Sequence, residues 1–226
     1  MKLMAIIPAY HEAGRIQKTI EAVKPYVQGI VVVDDGSSDA TADQARQTGV
    51  TVLRHVVNRG QGAALRTGTE AALRLGAEVI VHIDADGQHD PSFIPSLIEP
   101  IEKNVAEVVF GSRFLGITSA NMPFMRRLLL KAAKTFNALL MGIPRRVTDP
   151  QSGMRAMTAN AARRLDFRQD RMAHCSEILR LVTRGSFAWV EIPVRIQYSA
   201  ESLAKGQKST DALRIAWQLL LGIFAD

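Results

Sequence analysis

Short apolar runs alternate with helix-like segments through the first half of this chain, and that alternation limits the folds open to it. Strand-like runs are expected at Leu3–Pro8, Gly29–Asp34, Thr51–His55, Glu78–Asp84 and Ala106–Gly111. Helical spacing of apolar residues is expected between them, over Ala13–Val23, Ala40–Gln47, Gly62–Leu75 and Ser92–Ile101. Repeated strand–helix–strand units predict an α/β fold, a mostly parallel sheet with helices on both faces. The runs are nearly all apolar, as strands buried on both faces should be.

Open sheets of this kind bind ligands beyond the carboxyl ends of their strands. Three polar clusters fall there: Pro8-Ala9-Tyr10-His11-Glu12, Asp34-Asp35-Gly36-Ser37-Ser38-Asp39 and the run from His82 to Asp90. In the second, Gly36 permits a tight turn and Ser38 or Asp39 can cap the next helix. Asp34 or Asp35 is then left as a spare carboxylate, able to accept hydrogen bonds from a base or ribose. In the third, Asp84, Asp86 and Gln88 stand at alternate positions after Val79-Ile80-Val81. In an extended segment such residues point the same way. Two carboxylates and an amide oxygen would then converge, a donor set suited to Mg²⁺ or Mn²⁺ when phosphates complete the shell. The plainer reading is a strand end followed by an Asp-Gly turn.

Other features are weaker taken singly. Asn58-Arg59-Gly60-Gln61-Gly62 opens a helix and could cradle phosphate on backbone amides, or could simply turn and pack. It lacks the lysine and hydroxyl of a P-loop. Gly111-Ser112-Arg113 follows a strand. A long helix is expected from Met122 to Met141, with Arg127, Lys131 and Lys134 at helical spacing as a basic stripe. The stripe suits phosphate oxygens or is a solvated face. Thr148 to Arg155 reads as a polar loop entering a short strand, with a helix around Cys175–Thr183 and a strand at Phe187–Ile196 after it. His82 reads as a satisfied core histidine. His174 and Cys175 are too isolated to suggest a nucleophile pair, and Glu177 could orient something in a site or sit on the surface.

Charge is unevenly placed. Residues 1–100 hold 9 Lys/Arg against 12 Asp/Glu, and residues 101–226 hold 19 against 10. The basic second half suggests an anionic partner, namely phosphates, an acidic membrane surface or nucleic acid. Nucleic acid is disfavoured, because no recognisable module appears and the acidic strand ends would go unexplained. The single cysteine excludes an intramolecular disulfide and a Cys-based zinc site, and fits a reducing cytosol. No secretion signal is expected at the first strand, and no apolar stretch is long enough to span a bilayer. The tail, Asp211–Ala225, reads as a helix apolar on most faces. It must pack on the domain, on a second subunit, on a partner protein or into a lipid interface.

In order along the chain stand PAYHE, VVVDDGSSDAT, NRGQGAA, DADGQHDP, GSRF and TDPQSGMRA. This set resembles the inverting family-2 glycosyltransferases of GT-A fold, and within them the polyprenyl-phosphate (dolichyl-phosphate) mannosyl- and glucosyltransferase group. The resemblance covers about residues 3–200. It implies a Rossmann-like GT-A catalytic domain over residues 1–200 with a helical extension over 201–226. It also implies a nucleotide-sugar donor, UDP- or GDP-linked, and Mg²⁺ or Mn²⁺ bridging its diphosphate. By motif matching, Pro8, Tyr10, Glu12, Val33 and Asp35 would hold the nucleoside, and Asp84, Ala85, Asp86 and Gln88 the metal and sugar-phosphate. Arg113, Arg127 and Lys131 would meet the acceptor phosphate, and Asp86, Gln88 and Arg113 would carry the catalysis. A lipid-phosphate acceptor would be met at the inner membrane face or through a membrane partner protein. Were the acceptor instead a sugar hydroxyl, a base would be needed, and Asp149 is the candidate. A nucleotide-sugar-binding scaffold without activity is the remaining alternative. The chain departs from the family's pattern at His11, where Asn is common, and at Met154, where Phe or Leu is usual. The Gln-x-x-Arg-Trp signature of processive synthases is absent.

Overall fold

The structure is a computed structural model that describes residues 1–115, 143–144 and 146–196. The expected 122–141 helix and the tail, with Arg127 and Lys131, lie outside the described residues. The elements run β1 (Leu3–Ala9), α1 (Ile16–Val23), β2 (Gly29–Asp34), α2 (Thr41–Gln47), β3 (Thr51–Arg54), α3 (Gln61–Arg74), β4 (Val79–His82) and α4 (Ile94–Glu102). They continue with β5 (Val108–Ser112), β6 (Arg155–Thr158), α5 (Ala159–Arg164), α6 (His174–Arg184) and β7 (Trp189–Pro193).

The strands form one seven-stranded sheet in the order β3-β2-β1-β4-β6-β5-β7. Strands β1 to β4 pair in parallel, and so do β5 and β7. Only β6 runs against its neighbours, β4 and β5. The sheet is therefore mostly parallel, as the apolar runs predicted. All seven residues of β1 are buried. Met4 and Ile6 point into one core layer with Leu65 of α3 and Ile178 of α6. Leu3, Ala5 and Ile7 point into the other, with Ile16 and Ile20 of α1 and Leu97 of α4. Successive residues feed opposite layers because strand side chains alternate. Helix α1 shows the matching helical period, burying Ile16, Thr19, Ile20 and Val23.

Several expected boundaries shift. Strand β4 stops at His82, two residues before the expected end. The chain leaves the sheet there to turn through Ala85, Asp86 and Gly87, and Gly87 takes φ +72°. Strand β7 is shorter than the run at Phe187–Ile196. Helix α3 starts at Gln61, one residue early. Helix α5 was not anticipated; the Thr158 side chain accepts from Ala161 N at 3.1 Å and starts it.

The chain passes from β1 outward to β2 and β3, then returns to place β4 on the other side of β1. That reversal opens a crevice at the carboxyl ends of β1 and β4. Polar residues after β1, β2 and β4 gather there.

Candidate active site

The loops after β1 and β2 are tied together. His11 N donates to Ser37 Oγ at 3.0 Å, and Ser38 N donates to the His11 ring at 3.2 Å. Glu12 N donates to Thr41 Oγ1 at 2.9 Å, and the Glu12 carbonyl accepts from Arg15 N and Ile16 N at the start of α1. His11 holds a left-handed backbone, φ +53°, and Tyr10 stacks on its ring at 4.1 Å. Tyr10 is 45% exposed and offers an aromatic face to the crevice mouth. Pro8 and Val33 are register partners inside the sheet, both buried. Ala85 is buried as well, and its carbonyl accepts from Thr19 Oγ1 at 3.0 Å.

Asp35 is not the spare carboxylate the sequence suggested. Oδ1 accepts from the His55 ring at 2.6 Å and Arg59 N at 3.0 Å. Oδ2 accepts from Asn58 Nδ2 at 3.0 Å and Gly60 N at 2.6 Å. Those bonds use the acceptor sites of a carboxylate. Asp34 is fully buried, with Arg54 Nε 3.0 Å from Oδ2 as an ion pair and Ser37 N on Oδ1 at 3.3 Å. Both aspartates therefore brace the β2 loop.

The glycine loop is likewise a packing device. A Cβ on Gly62 would lie 2.1 Å from the Gln169 carbonyl oxygen, and one on Gly60 2.4 Å from that of Asp170. Ala63 N, a donor at the start of α3, is taken by the Asp170 carbonyl at 3.1 Å. The phosphate-cradle expectation fails because the chain's own 169–170 segment fills the cradle. Glu177 holds that segment by accepting from Arg168 N and Gln169 N.

Asp84 and Asp86 do come together, but through a turn rather than through strand alternation. Gln88 N donates to Asp86 Oδ1 at 3.0 Å and Gln88 Nε2 to Oδ2 at 2.5 Å. Asp84 is gripped differently. Gln61 Nε2 donates to its Oδ1 at 2.6 Å, and His89 Nε2 stands 3.1 Å from its Oδ2. Its side chain remains 28% exposed. Burial pushes the Asp84 carboxyl up, but the His89 bond and the charges of His89, Arg155 and His174 outweigh it and hold it below its ordinary value. Asp86 moves the other way, raised by burial and by the charge of Asp84. The charge of Asp84 thus opposes the ionisation of its neighbour Asp86. Among the described residues no group of three or more His, Cys, Asp or Glu side chains could hold a metal ion. A divalent cation here would be shared with a diphosphate, which fits the hard-oxygen donors present.

Arg113 and Asp149 had been assigned separate tasks, phosphate binding and base catalysis. The structure pairs them. Arg113 Nε and Nη2 donate to the two Asp149 oxygens, each at 2.6 Å, and Arg113 N adds a bond at 3.1 Å. Both side chains are buried. Asp149 is thus committed to a bidentate pair and is not placed as a free base.

Behind Asp84 lies a buried group that sequence reasoning missed. His82 bonds Thr69 Oγ1 at 3.0 Å through Nε2, while Nδ1 has no partner among the described residues; burial first, then the charges of Arg155 and His174, push it well below the ordinary value. The core-histidine reading holds for one nitrogen. Arg155, its register partner across β4 and β6, is 1% exposed and donates to His174 Nε2 at 3.4 Å and Cys175 Sγ at 3.7 Å. Burial pushes the Cys175 thiol up, but His174, 3.4 Å away, and Arg155 bring it down to about 7. His89 stood within the quoted motif, yet no period marked it. Arg155 also stood within a motif, but its approach to His82 depends on the antiparallel pairing of β6 with β4, and its approach to His174 on where α6 packs.

A family model described as glycosyl transferase family 2 matches residues 4–169. The UDP-N-acetylglucosamine–dolichyl-phosphate N-acetylglucosaminyltransferase of Methanococcus voltae is 32% identical over 237 residues, 96% of this chain and 94% of that protein. The dolichol-phosphate mannosyltransferase of Pyrococcus furiosus is 32% identical over 232 residues, 97% of this chain and 64% of the longer protein. Among solved structures, glucosyl-3-phosphoglycerate synthase from Mycobacterium tuberculosis, in complex with Mn²⁺, UDP and phosphoglyceric acid, superposes with a TM-score of 0.77. That match covers 99% of this chain and 78% of the other at 20% identity, and it supports the GT-A fold alone. With a family model spanning most of its length and relatives of like sequence along nearly all of it, this chain belongs to glycosyltransferase family 2.

Proposed function

We propose that this glycosyltransferase moves a sugar, with inversion, from a nucleotide-sugar to a polyprenyl-phosphate lipid in a metal-dependent reaction. The observation that carries the reading is the Asp84–Asp86 pair at the end of β4, beside the sheet's reversal point. Asp84 and Asp86, with Gln88 beside them, would hold Mg²⁺ or Mn²⁺. The metal, when bound, would neutralise charge on the departing diphosphate. Tyr10 offers its exposed ring to the nucleoside, with the braced loops of Glu12, Asp34 and Asp35 fixing its surroundings. The acceptor oxygen attacks the anomeric carbon as the bond to the nucleoside diphosphate breaks on the opposite face.

The state of Asp149 favours a lipid phosphate over a sugar hydroxyl. A phosphate oxygen is already anionic near neutral pH and needs no base, whereas a hydroxyl does. The one carboxylate proposed as base is spent on Arg113. The names of the two relatives point to the same acceptor class. The basic stripe expected from the sequence, with Arg127 and Lys131, and the apolar sequence of the tail would suit contact with an anionic membrane face, with or without a membrane partner.

The test is incubation with polyprenyl phosphate in lipid vesicles and a panel of radiolabelled UDP- and GDP-sugars, followed by solvent extraction. Label is expected in the organic phase, dependent on Mn²⁺ or Mg²⁺ and lost in Asp86→Ala. Label appearing only on water-soluble sugars would overturn the lipid acceptor. Transfer that survives chelation would overturn the metal.

A further inference from the structure

Gln61 is the first residue of α3, and its side chain crosses to the metal-site turn. Its Nε2 lies 2.6 Å from Asp84 Oδ1. His89 faces the other oxygen at 3.1 Å, and the backbone of Gly153 closes a third side, with room for no side-chain carbon. The carboxylate is therefore fixed in rotation as well as in place. The residue that fixes it is itself held rigidly. Arg59 N and Gly60 N, immediately before it, donate to Asp35, and Ala63 N, just after it, donates to Asp170 O. A short, bonded segment thus joins the brace after β2 to the carboxylate after β4.

We propose that Gln61 is a positioning residue, which sets the orientation in which Asp84 meets a divalent cation. The inference rests on the metal-dependent reading above. An ionised carboxylate only accepts hydrogen bonds, so the amide must turn its NH₂ toward Asp84. An amide also suits the task better than Lys or Arg, because it orients the ligand without adding a charge that competes with the cation. Partners of this kind typically contribute roughly tenfold to hundredfold in metal affinity.

The experiment is a titration of the whole protein with Mn²⁺, read by electron paramagnetic resonance, with and without inorganic pyrophosphate. Pyrophosphate supplies a diphosphate without committing to a base. Gln61→Met keeps the length of the side chain and removes the donor; Gln61→Asn keeps the amide and withdraws it. Both are expected to bind Mn²⁺ about tenfold to hundredfold more weakly than the parent, with an altered Mn²⁺ line shape, at a temperature where parent and variants are fully folded. Parent-like affinity in Gln61→Met would overturn the role of Gln61 and leave the metal site standing. Affinity lost only in step with the thermal midpoint in both variants would make the role structural and equally overturn it. A parent protein that binds no Mn²⁺ in either condition would overturn both readings together.

Discussion

Replacing Gly153 by alanine tests the metal-site geometry with one methyl group. A Cβ there would lie 2.2 Å from Asp84 Oδ2, 2.9 Å from its Cγ and 3.1 Å from Oδ1. The first distance is roughly 1 Å short of ordinary van der Waals contact. Something must move. The Gly153 backbone is poorly placed to yield, since the adjacent Met154 carbonyl accepts from Gly111 N at 2.9 Å and Met154 is fully buried. The Asp84 side chain is partly exposed and can swing toward solvent. Doing so breaks the bonds from Gln61 and His89, each a bond to an ionised group worth about 1.5–3 kcal/mol. It also carries the carboxylate away from the position proposed for cation binding. The expected loss in Mn²⁺ affinity is at least about tenfold, equivalent to about 1.4 kcal/mol. The strain of an extra methyl in a packed site costs about 1–3 kcal/mol, and in a protein of this size each kcal/mol lowers the thermal midpoint by about 2–4 °C. Calorimetric Mn²⁺ titration beside a thermal melt measures both. Unchanged affinity together with an unchanged midpoint would refute the packing of Gly153 against Asp84.

Two further outcomes follow from buried charge. Asp149→Asn removes the negative charge that faces the buried Arg113 guanidinium and is expected to destabilise the protein by about 3–5 kcal/mol in urea melts; a parent-like midpoint with selective loss of transfer would restore Asp149 as a base. Cys175→Ala removes a thiol held at about 7 in the folded chain, against an ordinary 9.0. A depressed acid stabilises the fold fully above its unfolded value and loses that contribution as pH falls through about 7. The stability of the parent relative to Cys175→Ala should therefore rise between pH 7 and 9, and a difference that is flat with pH would show that the thiol does not ionise.

The sheet was readable because parallel strands buried on both faces are continuous apolar runs, and those runs mark β1, β2 and β4 well. The antiparallel β6 was harder, because four residues led by a buried arginine carry no period. Its pairing with β4 and β5 is set by contacts distant in sequence. Asp84 and Asp86 are brought to one turn by a route other than the one the spacing suggests. The sequence put Asp84, Asp86 and Gln88 on one side of an extended segment, whereas the strand ends at His82 and a turn through Gly87 brings Gln88 back onto Asp86. The glycine loop stayed ambiguous for a different reason. Glycine is needed equally where a phosphate approaches the backbone and where another strand of chain does. Only the position of Gln169 and Asp170 decides between them.

The same limit explains the carboxylates. Asp35 and Asp84 both follow apolar strands, both lie in Asp-rich motifs, and both face the crevice edge. They differ in how much acceptor capacity the fold leaves open. Asp35 is 4% exposed at its side chain and meets donors from His55, Asn58, Arg59 and Gly60. Asp84 is 28% exposed and meets two, from Gln61 and His89. An ionised carboxylate offers about four acceptor sites, so Asp35 is saturated, whereas Asp84 meets about half that number of donors among the described residues. Asp149 belongs with Asp35, since Arg113 covers both its oxygens. Donor count is a property of the folded neighbourhood, which spacing along a chain does not encode. By that criterion the acidic residues of this crevice divide into Asp35 and Asp149, whose acceptors the scaffold takes up, and Asp84 and Asp86, the pair proposed to meet a cation.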